Sequence, residues 1–287
     1  MINPATRTLN IRGQVLDLST PRVMGILNVT PDSFYDGNQH FSADAAMKHT
    51  EKMLAEGADM IDVGGYSSRP GATDISEEEE TKRVLPVIEK MVKAFPNAVI
   101  SIDTFRSNVA RRALEAGASI VNDISGGDLD SHMLELVAQQ QVPYIMMHMR
   151  GTPQTMKTLT QYNHLVKDVL DEFHPKLNRL KEMGVKDVVL DPGFGFAKTT
   201  DQNFELLNQL NLLLAAGKPL LVGVSRKSMI WRTLEITADE ALNGTTVLNT
   251  IALVKGASIL RVHDVKEARQ CIALVTKLQV GIANFAE

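Results

Sequence analysis

Residues 182–191 read EMGVKDVVLD, which is the end of an amphipathic stretch, a glycine, and a short apolar run that finishes in an aspartate. The same order recurs in AEGADMIDV (55–63), EAGASIVND (115–123) and KGASILRV (255–262). The glycine of each segment stands where a helix would end in a left-handed residue, which glycine adopts without a Cβ penalty. These segments therefore predict helices that lead through short turns into buried strands.

Eight apolar runs of this kind alternate with long amphipathic stretches. Each run carries a polar or charged residue at or near its end, which a buried parallel strand does not need for packing. In a (β/α)8 barrel the carboxyl ends of the strands form the active-site face. The pattern predicts an α/β protein with a (β/α)8 TIM barrel, whereas a flavodoxin-like doubly wound sheet needs fewer units. The runs are VMGILN (23–28), MIDVGG (60–65), AVISID (98–103), SIVND (119–123), YIMMH (144–148), VVLD (188–191), LLVGVSRK (220–227) and SILRVH (258–263).

The N-terminal segment precedes the first of these runs. Residues 1–20 alternate weakly around Arg12, Gly13 and Gln14, which predicts a short β-hairpin that closes the bottom of the barrel. No linker or low-complexity stretch follows it, and 287 residues suit one barrel. We therefore expect a single domain over residues 1–287.

Charge and cysteine content exclude several functional classes. The net charge is −4, and no run of Lys or Arg builds a basic face, so neither nucleic acid nor an anionic membrane is expected as a partner. The acidic run Glu77–Glu80 is expected at a solvated helix start. The single cysteine, Cys271, leaves no internal disulfide and is expected in the core. Because the chain begins without an apolar signal region and holds no long apolar span, we expect a cytoplasmic protein.

Three polar residues at strand ends suggest a ligand. Asp103, Asn122 and Asp191 offer acceptors, and the asparagine adds two donors. Together they suit a planar heterocycle with an amino-amidine edge, because adjacent N–H groups can pair with one carboxylate through two hydrogen bonds. Helix N-capping is the alternative for each residue taken alone.

Strands seven and eight carry the cations. Lys227, Arg261 and His263 stand where many barrels bind phosphate, and Arg and Lys both bind that group. Ion pairing with Asp264, Glu267 or other nearby acids is the alternative. The residues thus indicate a ligand with an amidine-like edge at one end and an anionic group at the other.

Three loops at the same ends add weaker signals. NVTPDSFYDG (28–37) carries Asn28, Asp32 and Asp36, oxygen ligands of the kind that Mg²⁺ prefers, although turn formation explains much of its composition. GGYSSRPGA (64–72) is typical of a mobile lid or a second substrate loop.

The third loop, DPGFGFAK (191–198), has glycines that let the backbone pass close to a ligand and two phenylalanines, Phe194 and Phe196, that can wall a pocket. His148 has no second histidine at helical ligand spacing, so we do not predict a zinc site there.

Seven of these motifs occur together in one family. NVTPDSF, GGYSSRPGA, SIDT, VNDISGG, DPGFGFAK, SRKS and RVHDV stand in the order and spacing of dihydropteroate synthases, and the chain resembles that pterin-binding TIM-barrel family from about residue 22 to 276. The resemblance implies a transferase of folate biosynthesis and a sulfonamide target. Its members join 6-hydroxymethyl-7,8-dihydropterin diphosphate to 4-aminobenzoate and release diphosphate. A dissociative C–O cleavage is implied as well.

The resemblance also implies the roles of individual residues. Catalysis would involve Asp103, Lys227, Arg261 and His263. The pterin would be held by Asp103, Asn122, Asp191 and Lys227. The diphosphate would be held by Asn28 with Mg²⁺, by Arg261 and by His263, with Asn28 as the metal ligand. The 4-aminobenzoate would be bordered by Ser68, Arg69, Pro70, Phe196 and Ser228. Tyr66 and Ser68 depart from the Glu and Thr that many members carry there, which leaves the packing of that loop open.

Two other functions remain as alternatives. A methyltetrahydrofolate-dependent corrinoid methyltransferase has a similar pterin-binding barrel but does not need a diphosphate site. A non-catalytic pterin-binding paralogue should have lost loop or phosphate residues. The family further suggests a homodimer, and the last predicted helix, residues 268–280, carries a large apolar face.

Overall fold

The computed structural model describes residues 7–30, 43–67 and 74–283, with side chains to residue 278. Within these ranges the last eight strands lie parallel in the order β8-β7-β6-β5-β4-β3-β10-β9, and a parallel bridge from Leu190 to Leu220 joins the two ends into a nearly closed barrel. The strands are β1 (Thr8–Ile11), β2 (Gln14–Asp17), β3 (Arg22–Asn28), β4 (Met60–Gly64), β5 (Val99–Asp103), β6 (Ile120–Asp123), β7 (Tyr144–Met147), β8 (Val188–Asp191), β9 (Leu221–Val222) and β10 (Ile259–Val262).

Helices follow every barrel strand, which confirms the predicted (β/α)8 order. They are α1 (Ala43–Ala55), α2 (Glu77–Ala94), α3 (Ser107–Ala116), α4 (Met133–Gln140), α5 (Leu165–Glu182), α6 (Thr200–Asn208), α7 (Ser228–Thr233), α8 (Leu242–Val254) and α9 (Val265–Ala283). Short 3₁₀ segments lie at Met156–Thr158 and Leu210–Ala216. Of the helices that the structure describes, none is long and apolar enough to cross a membrane.

The repeated glycines end helices as predicted. The φ angles are +97° at Gly57, +112° at Gly117, +79° at Gly184 and +99° at Gly256. At Gly117 the backbone N–H donates to the Leu114 carbonyl at 3.0 Å, and an added Cβ would lie 2.8 Å from Val92. Both the left-handed backbone and the close neighbour therefore require glycine at this helix end.

The predicted N-terminal hairpin is present, with β1 and β2 paired antiparallel. Its Leu9 and Ile11 belong to one apolar cluster with residues from the amino-terminal halves of the barrel strands, so the hairpin covers that end of the barrel. The barrel members of the cluster are Met24, Met60, Ile120, Ile145, Val189, Leu221 and Ile259. The extent of the single domain, 1–287, stays a prediction.

The structure confirms the expectation for Cys271 and contradicts part of the expectation for the acidic run Glu77–Glu80. Cys271 is free and buried in α9, as predicted. The acidic run begins α2, where Ser76 accepts a hydrogen bond from the Glu79 amide at 3.1 Å. The solvated interpretation is wrong for Glu80, which is fully buried and pairs with Arg106 at 2.6 Å. One helical turn brings this fourth residue back toward the barrel.

The position of the hairpin leads to a stability prediction. Leu9→Ala should lower the free energy of unfolding by about 2–5 kcal/mol, because it leaves a cavity among the apolar side chains at the barrel bottom. Val15→Ala is the matched control, since Val15 belongs to the same hairpin and is 74% exposed. It should change the unfolding free energy by about 0.5 kcal/mol or less. Denaturant unfolding measures both, and equal effects would show that the hairpin is not part of the core.

Candidate functional site

The polar residues predicted at strand ends gather at the carboxyl end of the barrel. The strand registers align Asn28 with Gly64, Gly64 with Asp103, and Asp103 with Asn122. An added Cβ on Gly64 would lie 3.3 Å from a carboxylate oxygen of Asp103. The glycine thus leaves space between Asn28 on β3 and Asp103 on β5. Three of the predicted side chains therefore share one level of the barrel.

A buried network connects four strands at this level. Asp62 of β4 is fully buried, and its Oδ2 accepts hydrogen bonds from Asn122 Nδ2 at 2.8 Å and from Arg261 Nε at 2.7 Å. Arg261 Nη2 also donates to Asp103 Oδ2 at 2.6 Å. A buried carboxylate needs such partners, because burying an unpaired charge is costly. The network therefore ties β4, β5, β6 and β10 together at the predicted site.

Sequence analysis gave Asp62 no role. The available signal was a single charge inside an otherwise apolar strand run, MIDVGG. Its second oxygen, Oδ1, is buried and has no hydrogen-bond partner among the residues that the structure describes. A buried acceptor is costly to leave unsatisfied, so a donor from a ligand or a water would stabilise the site.

The structure does not support the helix-cap alternative for the strand-end residues, whereas Arg261 does form ion pairs with two acids, Asp62 and Asp103. The caps of the helices that follow β5, β6 and β8 are Arg106, His132 and Thr199, so Asp103, Asn122 and Asp191 are free of that task. Asp264 pairs with Arg226 at 2.7 Å instead of with a predicted cation. Arg261 has two of its five N–H groups engaged with Asp62 and Asp103. Its binding of a diphosphate stays a prediction.

Asp191 and Lys227 are a second set of buried, oppositely charged groups that attract each other in the site. Burial lowers the pKa of Lys227 to about 8 against the attraction of Asp191. Burial likewise raises the pKa of Asp191, and Lys227 opposes that rise. The amide of Gly193 donates to Asp191 Oδ1 at 2.8 Å. Lys227 Nζ donates to the Phe194 carbonyl and lies 4.9 Å from the centre of the Phe196 ring.

Burial also changes the pKa of Asp103, the second carboxylate that Arg261 contacts. It raises the pKa of the Asp103 carboxyl above its usual range, and the guanidinium of Arg261 opposes that rise. The carboxylate form of Asp103 is therefore held in place chiefly by one contact, the ion pair with Arg261. A group that weakens this pair would make Asp103 easier to protonate.

For the other predicted site residues, the structure gives the surroundings of His263, Ser228 and Phe196 only. His263 approaches Ser225, whose hydroxyl oxygen lies 3.1 Å from His263 Nδ1 and accepts the His263 backbone N–H at 3.2 Å. Ser228 is half-buried at the first residue of α7. Phe196 packs against a small apolar cluster beside the site. Ser68, Arg69 and Pro70 lie outside the described residues, as do Asp32 and Asp36 of the first loop.

A second residue without a predicted role is Lys198. It ends the loop after β8, is buried, and contacts His148. The sequence shows a lysine directly after DPGFGFA, but an exposed cation fits that position equally well. In the part of the chain that the structure describes, no group of three or more His, Cys, Asp or Glu side chains could hold a metal ion.

Comparison with known proteins gives a consistent assignment. The family model for pterin binding enzymes matches residues 24–263. The dihydropteroate synthase of Escherichia coli is 44% identical over 266 residues, which cover 92% of this chain and 94% of the relative. That of Bacillus subtilis is 42% identical over 264 residues, with 91% and 88% covered.

Solved structures agree. Yersinia pestis dihydropteroate synthase with a sulfonamide drug complex has a TM-score of 0.89 and 41% identity, and 95% of this chain and 99% of that chain are covered. The Xanthomonas albilineans dihydropteroate synthase in complex with 7,8-dihydropteroate has a TM-score of 0.85 and 35% identity, with 95% and 98% covered. Together with the strand-end residues, these similarities show that the chain belongs to the dihydropteroate synthase family of pterin-binding enzymes.

Proposed function

We propose that this protein is a transferase that joins 6-hydroxymethyl-7,8-dihydropterin diphosphate to 4-aminobenzoate and releases diphosphate. The main support for this proposal is that two carboxylates and two cations lie together at the carboxyl end of the barrel. They are Asp103 and Asp191, and Arg261 and Lys227. This arrangement suits a substrate with hydrogen-bond donors on a ring and an anionic leaving group. The names of the relatives point to the same reaction.

The pterin ring would lie against the acceptors of the site. Asp191 would accept from the amino-amidine edge, since a carboxylate can accept two parallel N–H bonds. Asn122 and the spare oxygen of Asp62 add acceptors close to Asp103. Lys227, held beside Asp191, would donate to the opposite edge of the ring. The ring itself would lie near Phe196, which is already in contact with Lys227.

The diphosphate would lie beside Asn28, Arg261 and His263. Asn28 ends β3 in register with Gly64, where its side-chain oxygen can serve as one neutral ligand. Mg²⁺ fits such a position, because it is commonly held by one or two protein oxygens together with waters and phosphate oxygens. When bound, the ion would neutralise negative charge on the leaving group.

The chain's own residues would then act on charge and position. The C–O bond at the pterin methylene breaks and its electron pair stays with the diphosphate, while the amine lone pair of 4-aminobenzoate forms the new C–N bond and the nitrogen releases a proton. Arg261 and His263 would stabilise the charge on the leaving oxygen, and preorganised donors of this kind contribute about 3–4 kcal/mol each. Asp103 would stabilise the positive charge that develops on the pterin methylene.

The second substrate, 4-aminobenzoate, would bind beside the pterin. Phe196 and Ser228 would border 4-aminobenzoate, and Ser68, Arg69 and Pro70 would complete the pocket. Sulfonamides would occupy the same pocket.

The two alternative functions differ in the need for phosphate-binding residues. A corrinoid methyltransferase does not need the residues that would bind the diphosphate, and a non-catalytic paralogue should have lost them. A cytoplasmic location remains the expectation from the sequence.

A homodimer is part of the proposal. Helices α8 and α9 pack against each other and both expose apolar side chains at helical spacing. These side chains are Val247, Ile251 and Val254 on α8 and Leu274 and Leu278 on α9. Exposed apolar side chains on two helices that pack together are typical of a protein interface.

Activity is the first test. Purified protein with Mg²⁺ and both substrates should release diphosphate and form dihydropteroate, which chromatography detects. Without 4-aminobenzoate no dihydropteroate should form. A folded sample that yields no product above background would contradict the proposed reaction.

The role of Asp191 gives a binding prediction. Asp191→Ala should weaken the binding of 6-hydroxymethylpterin by about 1.5–3 kcal/mol, because a charged acceptor of the ring is lost. Isothermal titration calorimetry measures this change, and circular dichroism checks the fold. Asp201→Ala is the matched control, since Asp201 is exposed in the first turn of α6. Equal affinities of the two variants would remove Asp191 from the pterin site.

The dimer is tested by sedimentation at micromolar concentration. The wild type should sediment at about twice the chain mass of 31.5 kDa. The double variant Val254→Glu/Leu274→Glu should sediment as a monomer, because two charges then replace exposed apolar side chains. Leu212→Glu, which alters an exposed leucine outside α8 and α9, should stay dimeric. A monomeric wild type would refute the dimer.

A further inference from the structure

Lys198, the last residue of the loop after β8, is buried. Its ammonium contacts three acceptors, the carbonyls of Gly193 at 3.2 Å and Phe196 at 3.1 Å and the Nδ1 atom of His148 at 3.0 Å. An ammonium has three N–H donors, so each donor meets one acceptor. A neutral amine has two N–H donors and would lose one of these three hydrogen bonds. The geometry therefore suits the charged form of Lys198.

The neighbours of Lys198 support this protonation state. Burial, and then the charge of Lys198, lower the pKa of His148 to about 4, so its ring is neutral at pH 7. Since Nδ1 accepts from Lys198, Nε2 carries the hydrogen and donates to Glu172 Oε2 at 2.9 Å. Although burial opposes it, His148 and Arg150 lower the pKa of Glu172 to about 2. A neutral histidine thus links a buried ammonium to a carboxylate.

The same cluster holds the loop at a third carbonyl. Arg150 Nε donates to Glu172 Oε1 at 2.9 Å, and its guanidinium lies 3.9 Å from the centre of the Tyr162 ring. The Tyr162 hydroxyl donates to the Ala197 carbonyl at 3.0 Å. Ala197 has a φ of +49°, an unfavourable conformation for a residue with a Cβ. The loop therefore needs external contacts to keep this shape.

The loop that is held in this way carries the contacts of the pterin site. Its Gly193 amide donates to Asp191, its Phe194 carbonyl accepts from Lys227, and the Phe196 ring lies next to the Lys227 ammonium. Moving residues 192–197 would therefore move the partners of both Asp191 and Lys227. Lys198 contacts the backbone of these residues and therefore does not need to contact a ligand to affect binding.

We propose that Lys198 is a positioning residue of the pterin site, because its ammonium fixes the backbone of residues 192–197 and thereby the positions of Asp191 and Lys227. This inference rests on the proposed function only for the identity of the ligand. The charged ammonium is the form that fills all three acceptors, so loss of its proton should loosen the loop.

The pH dependence has a definite sign. Burial lowers the pKa of Lys198 to about 7, and Asp191 opposes the shift. The other charged groups that act on Lys198 are Lys227, Glu172 and Arg150. Below this pKa the ammonium holds the loop, and above it one of the three hydrogen bonds is lost. The contribution of Lys198 to pterin binding should therefore be present at low pH and fade as pH rises through about 7.

The test compares Lys198→Met with wild type and with Lys218→Met. Lys218 is a matched control, because it is partly buried at the other end of the barrel, where its ammonium donates to the Lys186 carbonyl at 3.3 Å. Titration calorimetry with 6-hydroxymethylpterin gives Kd for each protein. We expect Lys198→Met to raise Kd about ten-fold near pH 6 and only about two-fold near pH 8.5, since wild type has then lost the same charge. Lys218→Met should match wild type.

The ratio of the two Kd values cancels titrations that both proteins share, such as that of Asp103. A ratio that stays constant with pH would show a merely structural role, and an unchanged Kd would remove Lys198 from the pterin site. Either result overturns the inference. If Lys198→Met does not fold, Lys198→Gln replaces it, since it keeps two N–H donors without charge and should show the same convergence. Wild type that binds pterin but makes no dihydropteroate would overturn the proposed function alone.

Discussion

The buried carboxylate of Asp62 is the constraint on which the polar end of the barrel depends. An ionised carboxyl group without partners costs on the order of several kcal/mol in a protein interior. Arg261 and Asn122 supply the partners from two other strands, and Arg261 continues to Asp103. Because loss of Arg261 would leave the carboxylates of Asp62 and Asp103 without their cation, the contacts of Arg261 hold the strand ends together. The network thus sets the distances between the groups that would contact the ligand.

The barrel interior changes character along its axis. The amino-terminal end holds an apolar cluster that includes Leu9 and Ile11 of the hairpin, while the carboxyl end holds buried charges. Burial of apolar area stabilises the fold, whereas the paired charges contribute little net stability and mainly fix geometry. Stability and binding are therefore carried by different layers of one barrel. This separation lets the polar layer keep an unsatisfied acceptor such as Asp62 Oδ1.

The sequence could predict the architecture because strand and helix periods are local. It also placed Asp103, Asn122 and Asp191 at one end, since the carboxyl ends of parallel strands meet. It could not predict the pair of Asp62 and Arg261, because the two residues are 199 positions apart and the contact depends on barrel closure. Lys198 was missed for a similar reason. Its burial depends on His148 and Glu172, which come from other elements.

Charge balance within the polar layer bears on how a diphosphate could bind. Asp62, Asp103 and Asp191 are matched by three cations, Arg261, Lys227 and Lys198, when both lysines are protonated. This cluster therefore has little surplus positive charge for a leaving group that is itself highly charged. Additional compensation would have to come from His263 or from a divalent cation near Asn28. The same balance suits a neutral pterin ring, which needs donors and acceptors in fixed places more than it needs net charge.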